Sequence, residues 1–235
     1  VISFPSYRYE HAMAYDSVND RIVLFGGIAS PRSDQTWEYD GAASTWTLKA
    51  PGVKPGALES HAMVYDIARG EIMLFGGYPT TNNTWVYNVA TTLWAPKAPA
   101  HKPSARYYHR MAYDEANNNT VLFGGSSGGD ETWIWDGADW TQKFPATSPP
   151  ERYWHAMTYN AVAGGVMLYG GTAWPDDNEI WIWDGTNWTE VVKVAFPPLR
   201  FAHDMTYDFT TGGVLLFGGY DTGWNLLGDT WIYGP

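Results

Sequence analysis

Residues 8–27 read RYEHAMAYDSVNDRIVLFGG, and TWEYD at 36–40 with TW at 45–46 complete the unit. The unit returns four more times. An apolar run closed by Gly-Gly ends at Gly27, Gly77, Gly125, Gly171 and Gly219, and a histidine precedes each: His11, His61, His109, His155 and His203. The histidines lie 50, 48, 46 and 48 residues apart. Between histidine and glycines the pattern is HxMxY(D/N), and after the glycines comes T/I-W-x-Y/W. Four units add one more tryptophan, at Trp46, Trp94, Trp140 and Trp188. A self-similar period of this length, with four strand signals per unit, marks a repeat architecture in which each unit buries its apolar faces against its neighbours.

The period of about 50 residues, the Gly-Gly doublet closing an apolar strand, the aromatic strand after it and the tryptophan on the last strand resemble kelch repeats. WD40 repeats are a poorer match, because Trp135-Asp136 and Trp183-Asp184 occur without the Gly-His partner. The resemblance covers nearly the whole chain. It implies an all-β, five-bladed kelch β-propeller with four antiparallel strands per blade. As a single domain over 1–235, its blades span about 8–50, 56–98, 104–144, 150–193 and 198–235. The fifth repeat stops at TWIYGP without a fourth strand, so Val1–Phe4 is expected to complete the last blade and protect its edge. Kelch propellers usually have six or seven blades. Five therefore points to a small ring, an excised part, or an oligomeric or domain-swapped assembly, with a monomer the first expectation.

Within a unit, strand alternation puts His11, Met13 and Tyr15 on one face and Ala12, Ala14 and Asp16 on the other. Large beside small is what face-packed blades need. The loops from second to third strand are irregular: IASPRSDQ, YPTTNN, SSGGDE, TAWPDDNE and YDTGWNLLGD. The links between blades are rich in proline. Antiparallel order puts both loop sets on one face, the usual layout of a binding surface on a regular scaffold.

Composition narrows the function. The net charge is −11 without a basic run, which argues against duplex nucleic acid as a partner. No apolar run is long enough to span a membrane. With no cysteine, disulfides and thiol chemistry are excluded, and the compartment stays open with an extracytoplasmic one slightly favoured. The chain opens at Val1 with no basic, apolar leader, as a processed protein or an excised domain would.

Eleven of the 14 tryptophans hold repeat positions and read as core. Trp154, Trp174 and Trp224 do not; all three fall on the variable-loop side of units four and five, and they suggest a ligand platform together with Tyr220. Arg8, Arg106, Arg152 and Arg200 each stand three residues before a repeat histidine, where unit two has Leu58. Their repetition suggests structural struts, whereas the resemblance to kelch substrate adaptors implies that such arginines hold acidic peptides. The histidines run in phase with Met and Tyr, so they point at the neighbouring blade and form no metal ring. Asp16, Asp66, Asp114 and Asp208 read as turn caps.

Enzyme motifs are lacking: no G-x-S-x-G, H-E-x-x-H or P-loop occurs. Kelch-fold galactose oxidase needs a Cys-linked tyrosine, which this chain cannot make. The expectation is thus a non-catalytic recognition module without cofactor or metal, binding an acidic peptide or a carbohydrate on the loop face. The alternatives are a sugar-acting hydrolase or isomerase using Asp176, Asp177 and Asp221, and a scaffold with no ligand.

Overall fold

Each repeat folds as an antiparallel sheet at the positions its alternation marks. The computed structural model describes residues 4–173, 178–191 and 197–234. Blade one is β1 (Ala12–Asp16), β2 (Arg21–Phe25), β3 (Thr36–Asp40) and β4 (Thr45–Lys49); blade two is β5 (Ala62–Asp66), β6 (Glu71–Phe75), β7 (Thr84–Asn88) and β8 (Leu93–Lys97). Blade three is β9 (Arg110–Asp114), β10 (Asn119–Phe123), β11 (Thr132–Trp135) and β12 (Trp140–Lys143). A two-residue strand, β13 (Arg152–Tyr153), leads into blade four, made of β14 (Ala156–Asn160), β15 (Gly165–Tyr169), β17 (Ile180–Trp183) and β18 (Trp188–Val191); β16 (Thr172–Ala173) pairs with β13. Blade five is β19 (Asp204–Asp208), β20 (Gly213–Phe217) and β21 (Thr230–Tyr233). In every blade the strands pair in chain order as a meander. The architecture is an all-β, five-bladed kelch propeller. The fourth strand expected for blade five falls on Val1–Ser3, outside the described residues; Phe4 is exposed and belongs to no strand.

The chain divides into two compact units, Val1–Tyr108 with Gly137–Trp140, and His109–Asp136 with Thr141–Pro235. In the first, the core lies between blades one and two. Ala14, Val23 and Phe25 meet Met63, Ile72, Leu74, Tyr87 and Trp94. Phe25 packs edge-on against His61 at 5.6 Å and against Trp94 at 5.1 Å, and the Trp94 Nε1–H donates to Thr36 Oγ1 at 2.9 Å. The second unit repeats this. Phe123 meets His155 at 5.8 Å and Trp188 at 5.4 Å, and Trp188 Nε1–H donates to Thr132 Oγ1 at 2.9 Å. Between blades four and five, Tyr169 takes the place of Phe, against His203 at 5.5 Å. Burying one such aromatic ring is worth roughly 4–6 kcal/mol as an upper bound, so these junctions dominate the stability.

The glycine doublets follow from this packing. A Cβ on Gly26 would lie 2.5 Å from the Leu58 carbonyl oxygen and 2.9 Å from His61, and the backbone there has φ +70°. A Cβ on Gly27 would meet His11 and the Tyr9 carbonyl of its own blade. The first glycine lets the next blade approach, and the second lets its own first strand close; any side chain would hold them apart. The Gly27 N–H then donates to the Leu58 carbonyl at 2.8 Å, and Gly171 N–H to the Arg200 carbonyl at 2.9 Å.

The repeat aspartates close the turn after each first strand. Asp16 Oδ1 accepts from the backbone N–H of Val18 and Asn19, Asp114 from those of Ala116 and Asn117, and Asn160 does the same for Val162 and Ala163.

Candidate functional site

The four repeat arginines are all buried. They hold the first glycine carbonyl of their own blade, as Arg8 Nη1 does Gly26 O at 3.0 Å, Arg152 Nη1 does Gly170 O at 3.1 Å, and Arg200 Nη1 does Gly218 O at 3.0 Å. Their Nε–H groups donate to a carbonyl two residues upstream, and Arg106 does likewise to Ser104 at 3.1 Å. Arg8 also reaches Gln35 Oε1 at 2.8 Å, and Arg200 forms a bidentate pair with Asp229 at 2.7 Å for both bonds. The acceptor then takes the next indole N–H: Trp37 to Gln35 at 3.1 Å, Trp231 to Asp229 at 2.6 Å. The Arg200 guanidinium, then Trp231, hold the Asp229 carboxyl well below its usual range. Each arginine is thus a strut from the inter-blade link to the end of the second strand, with its donors turned inward onto the protein.

Aromatic residues on the same side of the second unit form a continuous shelf. Trp154 stacks on Phe201 at 5.5 Å, and Phe201 stacks on Tyr220 at 5.7 Å. Trp224 stands edge-on to Phe201 at 4.8 Å and to Trp154 at 6.0 Å; Tyr153 meets Trp154 at 5.1 Å. Trp224 is 62% exposed, while Trp154 and Tyr220 are half-buried. Trp174, the third off-pattern tryptophan, lies outside the described residues, as do Asp176 and Asp177.

The shelf is rigid by construction. Asp221 Oδ1 accepts from the backbone N–H of Gly223 at 2.8 Å and of Asn225 at 2.9 Å, and Asn225 Nδ2 closes back on the same carboxylate. The Trp224 N–H donates to the Asp221 carbonyl at 3.0 Å, with Trp224 at φ 62°. Hydrogen bonds from Asn225 hold the Asp221 carboxyl below the usual carboxylate range, so this group is committed to its own loop. Trp154 occupies a position that has positive φ in every unit: Glu10, Ser60, Tyr108, Trp154 and Ala202.

Beside the shelf lies a polar cleft of about 300 Å³, lined by Gly125, Ser126, Gly129, Glu151, Tyr153 and Thr172, with Arg152 at its base. Tyr153 joins cleft to shelf. The sequence singles out Trp154, Tyr220 and Trp224 of these rings, but not Phe201 and Tyr153, which sit in links read only as proline-rich. The aromatic character of the residues flanking Arg152 and Arg200 was the available signal. Among the described residues, no three His, Asp or Glu side chains converge to hold a metal ion, and no helix is long and apolar enough to cross a membrane.

Buried histidines complete the electrostatics. Desolvation holds His61 and His203 down to about 3 and His155 well below its ordinary value; Arg110 adds to the effect on His155 and His203. All three are neutral at pH 7, packed as apolar rings rather than poised as acids or bases.

Comparison with known proteins agrees with this architecture. A solved structure titled "Structure of YjhT" is similar over 97% of this chain and 82% of its own, with a TM-score of 0.74 at 14% identity, a likeness of fold alone. No curated protein sequence matches the chain. The sequence model of the Attractin/LZTR1 beta-propeller family matches residues 2–133, more than half of the length. The chain belongs to the Attractin/LZTR1 beta-propeller family.

Proposed function

We propose that this propeller is a recognition module and that its ligand is a carbohydrate, bound on the aromatic shelf of Trp154, Phe201, Tyr220 and Trp224 with the adjoining cleft. The fold is compatible with an interaction module. The observation that carries the finer reading is the shelf itself: the exposed Trp224 and the half-buried Trp154 and Tyr220, set around the buried Phe201 and held by a hydrogen-bonded loop, beside a cleft with hydroxyl, carboxylate and backbone groups. Sugar rings present C–H faces to aromatic planes and hydroxyls to polar edges, and such a shelf-and-cleft pair answers both. The arginines are assigned a positioning role, because their donors are spent on glycine carbonyls and Asp229. An acidic peptide would need those donors turned outward.

Titration with neutral oligosaccharides, followed by tryptophan fluorescence, tests the reading. Trp224→Ala is expected to weaken binding by about 2 kcal/mol, roughly thirty-fold, with the fold intact. Unchanged affinity in Trp224→Ala and Trp154→Ala, or binding of acidic peptides alone, sinks it.

A further inference from the structure

The polar cleft beside the shelf exists because the third repeat departs from the others after its second strand. Directly after the Gly-Gly pair, blades one, two and five carry Ile28, Tyr78 and Tyr220, where blade three has only Ser126. A little further on, the carbonyls of Ser33, Thr81 and Gly129 play one role. They accept from the backbone N–H of Leu58, Arg106 and Arg152, at 3.3, 3.3 and 3.0 Å. Blade three thus fills that place with a glycine. A Cβ on Gly129 would stand 2.8 Å from the Glu151 Cβ, so the missing side chain is what lets Glu151 lie against the loop.

Glu151 is itself off the pattern. The residue before the repeat arginine position is Tyr7, Ala57, Ala105, Glu151 or Leu199, and only the fourth of these is charged. Burial alternates across 151–153, exposed, buried, exposed, so Glu151 and Tyr153 point the same way while Arg152 turns inward. Glu151 lines the cleft and makes no hydrogen bond or ion pair among the described residues. Carboxylates elsewhere on this unit's loops are committed: Asp229 to Arg200, Asp221 to its own loop, Glu131 to Trp133 at 2.9 Å and Glu179 to Trp181 at 3.0 Å. Arg152, at the base of the cleft, is buried and donates to the carbonyls of Gly170 and Pro150. The charge that the cleft turns to solvent is therefore negative.

We propose that this cleft takes a protonated amine carried on a sugar ring, which makes the preferred ligand an oligosaccharide containing amino sugars. The inference rests on the carbohydrate reading of the shelf and names the class of sugar. The ammonium would pair with the Glu151 carboxylate beside the Tyr153 ring, while another ring of the same oligosaccharide lies against Trp154 and Trp224. A sugar hydroxyl can also donate to a carboxylate. An ammonium gives the stronger, charge-assisted bond, gains from a neighbouring aromatic ring, and is drawn to a chain of net charge −11.

Tryptophan-fluorescence titration with a glucosamine trimer and with its fully N-acetylated counterpart tests it, in mildly acidic buffer where the amines are charged. The wild-type chain is expected to bind the free-amine trimer roughly five-fold more tightly at low salt, with the margin shrinking at high salt. Glu151→Gln, at an exposed and unpaired position, is expected to bring the two affinities together. Ser126→Tyr gives blade three the residue that blade two carries as Tyr78, and is expected to fill the cleft and abolish the margin by a second route. Trp224→Ala is expected to weaken both trimers alike. A margin that survives Glu151→Gln reflects only the general attraction of cations to an acidic chain and overturns the proposal. Equal affinity in the wild type, or tighter binding of the N-acetylated form, overturns it too and leaves the carbohydrate reading standing. Failure of both trimers to bind overturns that reading and this one with it.

Discussion

Gly170 and Gly218 occupy the same repeat position, at φ +66° and +71°, yet their surroundings differ. A Cβ on Gly170 would stand 2.6 Å from both the Arg200 carbonyl oxygen and His203 Cε1, where the neighbours are backbone and a packed ring. Gly170→Ala is therefore expected to cost about 2–5 kcal/mol, combining left-handed strain with overpacking. Gly218→Ala carries only the strain, about 1–2 kcal/mol. Denaturant unfolding of the two variants separates the contributions; equal losses would contradict the close approach assigned to Gly170. At this scale the repeat glycines were visible in the sequence. Their uneven burden was not, because it depends on which backbone and ring atoms the fold brings against each of them.

The inter-blade junction is the element that carries stability. Its polar component is the indole-to-threonine bond, buried on both sides at Trp188 and Thr132. Trp188→Phe keeps most of the ring but strands the threonine hydroxyl, at an expected cost of about 1–3 kcal/mol. Thr132→Val is expected to cost a similar amount, and the double variant less than the sum by about 1 kcal/mol. Strict additivity in that cycle would mean the bond contributes nothing. Trp188 was legible as core from its repeat position. Its partner was not, because a threonine 56 residues upstream has no local signature marking it as an acceptor. The arginines show the same limit: spacing located them, but their bonds to glycine carbonyls 18 residues downstream emerge only from the fold.

For the molecule as a whole, the buried histidines set the acid side of the stability profile. Unfolded, each has a pKa near 6.5, whereas His61 and His203 are held to about 3 and His155 is held well below its ordinary value. Between those values the unfolded chain binds protons that the native chain refuses. Stability therefore falls as the pH drops from about 6.5 towards 3, by about 1.4 kcal/mol per pH unit for each such histidine. Asp229 adds to this at the acid end: its carboxyl is depressed in the fold, so its contribution is present above the unfolded carboxylate value and lost as the pH falls through the folded one. Melting temperatures from pH 7.5 to 4.5 are expected to decline steadily, and His61→Gln to flatten the slope by one histidine's share. A flat wild-type profile would show that these rings protonate in the native state.

The sequence by itself determined the architecture and the direction in which the histidines point. Both follow from short-range alternation repeated five times, and a repeat multiplies a weak local signal. Only the tertiary structure decided what the arginines hold and that Phe201 and Tyr153 join Trp154 and Trp224 in one shelf. Those features depend on which side chains from distant blades arrive within a few ångströms of one another, and local spacing carries no information about such meetings.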